Sequence, residues 1–74
     1  MPYASNEDLP LSIRQHLPLE AQEIFRKAFN SAWRTYADRE PARLEEIAHR
    51  VAWSAVKKRY RKVGEEWVLF PGYH

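Results

Sequence analysis

Three prolines do most to limit what this chain can become. Pro10, Pro18 and Pro41 each stand directly before a stretch rich in helix formers. Proline has no backbone N–H to donate, but the first position of a helix has no partner for that group, so proline is tolerated there. The residue before a proline is pushed out of the helical region, so Leu17 ends whatever Pro10 begins. The prolines therefore predict three helices: a short one over about 10–16, a second over about 18–37 and a third over about 41–62. Asp8 sits favourably at the positive end of the first, and Gly64 reads as the C-terminal stop of the third.

Periodicity supports the two long helices. Ala21, Ile24, Phe25, Ala28, Phe29, Ala32 and Tyr36 recur at helical spacing, with Trp33 at the edge of their stripe. Leu44, Ile47, Ala48, Val51, Ala52 and Ala55 form a matching stripe on the third helix. Small residues recur on both, which predicts a close antiparallel hairpin. Glu23 with Lys27 and Glu46 with Arg50 stand one turn apart in the favourable order. A second stripe on helix three, His49, Trp53, Val56 and Tyr60, lies roughly opposite the first. It is covered by Tyr3, Ile13, Leu17 and the C-terminal segment, or else it is an aromatic docking surface.

The tail Glu65-Glu66-Trp67-Val68-Leu69-Phe70-Pro71-Gly72 reads as a short strand closed by a turn. A strand needs a partner for its backbone groups, and Pro2-Tyr3-Ala4 is the other extended segment. The expected fold is mostly α: a short helix plus a long antiparallel helical hairpin, with a tiny two-stranded sheet joining the N- and C-terminal segments. Both faces of the strand are apolar, so the chain is expected as a monomer or a weak dimer through it.

At 74 residues without cysteine, the chain is expected to be one domain, 1–74, held by apolar packing alone. The three histidines, His16, His49 and His74, lack metal-ligand spacing, so neither metal nor cofactor is expected. The two glycines lie at 64 and 72, and no phosphate loop or nucleophile elbow surrounds them. Glu45 and Glu46 are adjacent, and adjacent helical side chains diverge. An enzyme is therefore not expected. No apolar run is long enough to span a membrane and no leader is evident, which predicts a cytoplasmic protein.

The net charge of +2 is unevenly spread. Residues 1–37 hold four basic and four acidic side chains, whereas 38–74 hold eight and six. Most of the surplus is Lys57, Lys58, Arg59, Arg61 and Lys62, interrupted by Tyr60. At a helix C-terminus such a cluster stabilises the dipole without any ligand. It also suits a phosphate backbone, an acidic protein or a membrane surface. With Asn30, Arg34 and Trp53, these residues make up the candidate contact set for a protein partner or nucleic acid. Asn30 is a weak helix former within helix two, either solvated, or a contact point for a partner, or hydrogen-bonded to the neighbouring helix.

Several segments resemble the ChaB family of cation transport regulators. They include Met1-Pro2-Tyr3, the Leu9-Pro10 and Leu17-Pro18 pairs, and Ala21-Gln22 with Ile24-Phe25. Ala28-Phe29-Asn30-Ser31-Ala32-Trp33 with Tyr36, and Ala48-His49-Arg50-Val51-Ala52-Trp53 running on to Lys57 with Tyr60, are similar as well, as is Trp67. The resemblance implies a helical fold with a small sheet. It also implies a non-catalytic regulatory module whose unknown protein partner is a cation/proton antiporter or its regulator. Some viral relatives are associated with DNA, which keeps a small nucleic-acid-binding module as the alternative. The chain departs from the family pattern in a shorter loop at Asp38–Pro41 and in the apolar Val68-Leu69-Phe70. The resemblance carries over no catalytic or ligand residue.

Overall fold

A computed structural model describes residues 2–69. A 3-10 turn, Asn6–Asp8, leads into α1 (Leu11–His16) and α2 (Leu19–Tyr36). A second 3-10 turn, Pro41–Arg43, runs into α3 (Leu44–Lys57), and the strands β1 (Tyr60–Val63) and β2 (Glu66–Leu69) follow. Pro10 and Pro18 occupy the residue just before each helix, one position outside the expected one and within the usual ambiguity of a helix end. Three helices and a small two-stranded antiparallel sheet thus give the expected mostly α fold, with the helices where the prolines and the periodicity predict them.

The α1–α2 break is held by a residue that periodicity overlooks. Gln22 is the one buried polar side chain among the described residues. Its amide donates to the carbonyls of Leu17 at 2.8 Å and Arg14 at 3.2 Å, two acceptors that the end of α1 leaves without helical partners.

α2 and α3 pack antiparallel, as the successive contacts of Phe29 with His49, Phe25 with Trp53 and Glu20 with Tyr60 require. Phe25, Phe29, Ala21 and Ala32 of α2 meet Ala48, Ala52 and Val56 of α3 in the buried core. The two stripes expected on α3 are the flanks of one broad face centred on Ala52. His49 and Trp53 lie on one side of it, half-buried, while Val51 on the other side reaches solvent at 36%.

Two expectations need correction. α3 stops at Lys57, and Tyr60–Val63 is a strand rather than its last turn. The strand pairs with β2 in the register Tyr60 with Leu69 through Val63 with Glu66, so the C-terminal strand finds its partner next door and not in Pro2-Tyr3-Ala4. Gly64 is the physical reason. Its φ of +65°, with no positive φ at Glu65, is the pattern of a two-residue type II′ hairpin turn. A helix C-cap uses the same left-handed glycine, so the residue alone does not separate the two outcomes. Phe70, Pro71, Gly72 and His74, which the sequence reading includes, lie outside the described residues.

The N-terminal segment is tied to α2 instead. Asn30 accepts the Tyr3 N–H and donates to the Tyr3 carbonyl, each at 2.8 Å, which copies the paired bonds of a β-bridge. One turn earlier, Arg26 donates to the Asn6 side-chain oxygen at 2.8 Å. The Tyr3 ring then lies 4.9 Å from Phe29.

Replacing Asn30 with alanine removes two part-buried hydrogen bonds, worth together about 1–3 kcal/mol. Alanine's better helix propensity returns roughly 0.5 kcal/mol. The expected result in urea denaturation is a net loss of about 1–2 kcal/mol, with the Tyr3 amide losing hydrogen-exchange protection while α2 keeps its own. Unchanged protection of Tyr3 would show that the clamp does not hold the arm.

Candidate functional site

The hairpin decides where the basic residues go. Side chains on a strand alternate, and directly paired residues share a face. Tyr60 and Lys62, with their partners Leu69 and Trp67, face the helices, while Arg61 and Val68 face the other way. The cluster read as one helix end is therefore divided. Lys57 lies in the last turn of α3, Lys58 and Arg59 in the turn that follows, and Arg61 and Lys62 on opposite faces of β1.

Each inward pair lines its own groove. The Lys62–Trp67 pair joins Lys57 and Trp53 of α3 with Ser12, Ile13 and His16 of α1 around a depression of about 510 Å³. Its floor is aromatic: the Trp53 and Trp67 rings lie 5.4 Å apart at 32°, and Trp53 also meets Phe25 edge-on at 5.2 Å. The His16 Nδ1–H donates to the Ser12 carbonyl at 2.6 Å, which leaves the Nε2 side of the ring for the groove. Among the described residues, two ammonium groups line this depression and no carboxylate does. Neither Lys57 nor Lys62 is in an ion pair among the described residues.

The Tyr60–Leu69 pair lines a second groove of about 340 Å³ with Glu20, Glu23, Ile24, Lys27 and Arg59. Here the charges balance, and most are satisfied internally. The Glu23 carboxyl is held below its usual range by the hydrogen bond and charge of Lys27, 3.0 Å away. The Tyr60 hydroxyl donates to Glu20 at 3.4 Å. Burial first, and the Glu20 charge second, push the Tyr60 phenol above its ordinary 10.0. A third depression, of about 360 Å³, lies between the first 3-10 turn, α1 and the start of α2, beside the exposed Leu11 and Leu19.

Of the candidate contact residues, Lys57, Lys62 and Trp53 come together, while Lys58, Arg59 and Arg61 do not line that groove. Asn30 is occupied with Tyr3. Arg34 is exposed near the C-terminal end of α2, at the opposite end of the antiparallel pair from Lys57. Trp53 is half-buried, neither sealed in the core nor openly displayed. His49 is a packing residue, edge-on to Phe25 at 5.8 Å and Phe29 at 5.3 Å. Trp67, Ile13 and His16 enter the site without having been singled out for it, because their place depends on hairpin pairing. The spacing Lys62-Val-Gly-Glu-Glu-Trp67 around a Gly-X turn was the available signal. Among the described residues, no group of three or more His, Asp or Glu side chains could hold a metal ion, and no helix is long and apolar enough to cross a membrane.

The raised Tyr60 phenol has a definite consequence. A phenol whose pKa is higher folded than unfolded adds stability that is fully present below pH 10 and is lost as pH rises through the folded value. The Tyr60 ring-carbon signal is expected to titrate above 10.0, and Glu20→Gln to lower its midpoint only in part, because burial is the larger cause. A full return to the ordinary value in that variant would make the Glu20 contact the main cause instead.

The family model described as ChaB matches residues 9–69. A protein of Escherichia coli strain K12 named "Putative cation transport regulator ChaB" is 52% identical over 66 residues, covering 84% of this chain and 87% of its own length. A protein of the same name from Shigella flexneri matches equally. A solution NMR structure of a protein of that name superposes with a TM-score of 0.81 at 46% identity, over 93% of this chain and 99% of that one.

Proposed function

The chain belongs to the ChaB family, and from that premise we propose that it is a small non-catalytic regulator of cation transport. It acts by docking onto a cation/proton antiporter, or onto a protein that controls one, from the cytoplasmic side. The observation that carries this reading is the groove over Trp53 and Trp67. An aromatic floor between two helices, edged by cations that no carboxylate among the described residues neutralises, has the composition of a protein contact.

The division of the basic cluster weighs against the nucleic-acid alternative. A backbone of phosphates is followed by cations arranged along one surface, and here Lys57 and Lys62, Arg59, and Arg61 face three different ways.

The test is proton-coupled sodium or calcium exchange in everted membrane vesicles carrying a single antiporter. Adding the purified chain is expected to change the exchange rate. The double variant Lys57→Glu/Lys62→Glu, altered at two exposed positions, is expected to need at least about tenfold more protein for the same effect. An exchange rate indifferent to the wild-type chain would overturn the reading. A labelled DNA duplex serves as the control. Four or five phosphate contacts would make affinity fall about 150- to 500-fold between about 50 and about 200 mM salt. Such a fall, made shallower in the double variant, would replace this reading with nucleic-acid binding.

A further inference from the structure

We propose that the groove of Trp53, Trp67, Lys57 and Lys62 receives an acidic segment of a partner protein that also carries an apolar side chain. This deepens the docking reading above and rests on it.

Charge complementarity names the occupant. Among the described residues, the lining holds two ammonium groups and no carboxylate. Elsewhere on the surface, Lys27, Arg43 and Arg50 each lie within 3.5 Å of a glutamate. The cations left over within the groove are those that an incoming carboxylate can pair with. They approach from two elements, Lys57 from the last turn of α3 and Lys62 from β1, so an anion between them would bridge the helix and the hairpin. The floor specifies the second part of the ligand. The half-buried Trp53 and Trp67 offer apolar area that a carboxylate alone would leave wet. A leucine or phenylalanine side chain next to acidic residues satisfies both.

The ring geometry separates this occupant from a nucleobase. A base needs an open aromatic face on which to stack. The two indoles lie against each other at 5.4 Å, and Trp53 is further engaged by Phe25, so less aromatic face is free for stacking than two separate rings would offer. The balanced groove beside the Tyr60–Leu69 pair, where Glu20 and Glu23 stand beside Lys27 and Arg59, would repel the same acidic segment as much as attract it.

The three tryptophans provide the readout. Trp53 and Trp67 line the groove, whereas Trp33 packs on Phe29 away from it. The indole N–H signals are followed by NMR while an acetylated peptide, Glu-Asp-Leu-Phe-Glu-Asp, is added to the full chain. The expected result is saturable shifts at Trp53 and Trp67 with Trp33 unmoved. Binding should be at least about tenfold weaker for the amide analogue Gln-Asn-Leu-Phe-Gln-Asn, and for the analogue with serine in place of Leu-Phe. Lys57→Gln/Lys62→Gln should weaken the parent peptide by a similar factor while the free protein's indole spectrum keeps its dispersion. No shift of Trp53 or Trp67 at millimolar peptide overturns the inference, as does equal binding of the amide analogue. Stronger shifts of the same two signals with a single-stranded thymidine oligonucleotide overturn it in favour of nucleic acid. If the vesicles respond to the chain while the peptide fails, only the assignment of the groove falls. If the peptide binds as expected while no antiporter responds, the groove chemistry stands and the transporter partner falls.

Discussion

Phe25 and Phe29 stand one turn apart on α2, fully buried, with their rings 6.2 Å apart and nearly parallel. Among the described residues, almost every other aromatic contact ends on one of them. His49 and Trp53 of α3 reach Phe25, and His49, Tyr3 and Trp33 reach Phe29. This convergence needs α3 to approach closely, and Ala48 and Ala52, both fully buried, leave the room. A chain of this size has a net stability on the order of 3–5 kcal/mol. Truncating a buried phenylalanine costs about the same. The phenylalanine pair is thus the condition for having a fold at all, and the N-terminal arm, α3 and the hairpin are arranged around it.

The aromatic network leaves the core through Trp53. That ring touches Phe25 on its inner side and Trp67 on its outer side, so it passes the packing of the helix pair on to β2. The register of four residue pairs does the rest. Placing Trp67 against Trp53 puts Lys62 beside it, while Tyr60 and Leu69 turn to the Glu20 side. A shift of one residue would exchange the inward and outward sets and carry Lys62 off the groove. The site therefore depends on the type II′ turn at Gly64 as much as on any residue that lines it.

The sequence reading succeeded where one local signal has one structural meaning. Proline at a helix start is such a signal, and so is the 3.6-residue stripe of α2; both led to elements that the structure contains. It failed at Gly64, where a positive φ serves a helix cap and a hairpin equally well, and that single ambiguity misplaced the end of α3, the partner of β2 and the layout of five cations. Local pattern did not decide it, because β1 is defined by pairing with residues beyond the turn. Asn30 and Gln22 show a different limit. Their roles consist of hydrogen bonds to Tyr3, Leu17 and Arg14, and helical periodicity says only which way a side chain leaves the helix, not what will be waiting there.

The half-burial of Trp53 shows why core and surface cannot be assigned separately in so small a protein. On one side the indole completes the packing around Phe25, and on the other it forms the groove with Trp67. Removing it would disturb fold and docking together, so a loss of function on truncation would assign neither. Lys57 and Lys62 are exposed and contribute charge without filling core volume. Their neutralisation changes the groove's electrostatics and leaves the aromatic network standing. A partner that recognises this surface must gain by neutralising those two cations, since the apolar floor alone would favour any hydrophobic segment equally. Selectivity for an acidic segment then comes from the lysines, and the tryptophans supply the contact area over which that selectivity acts.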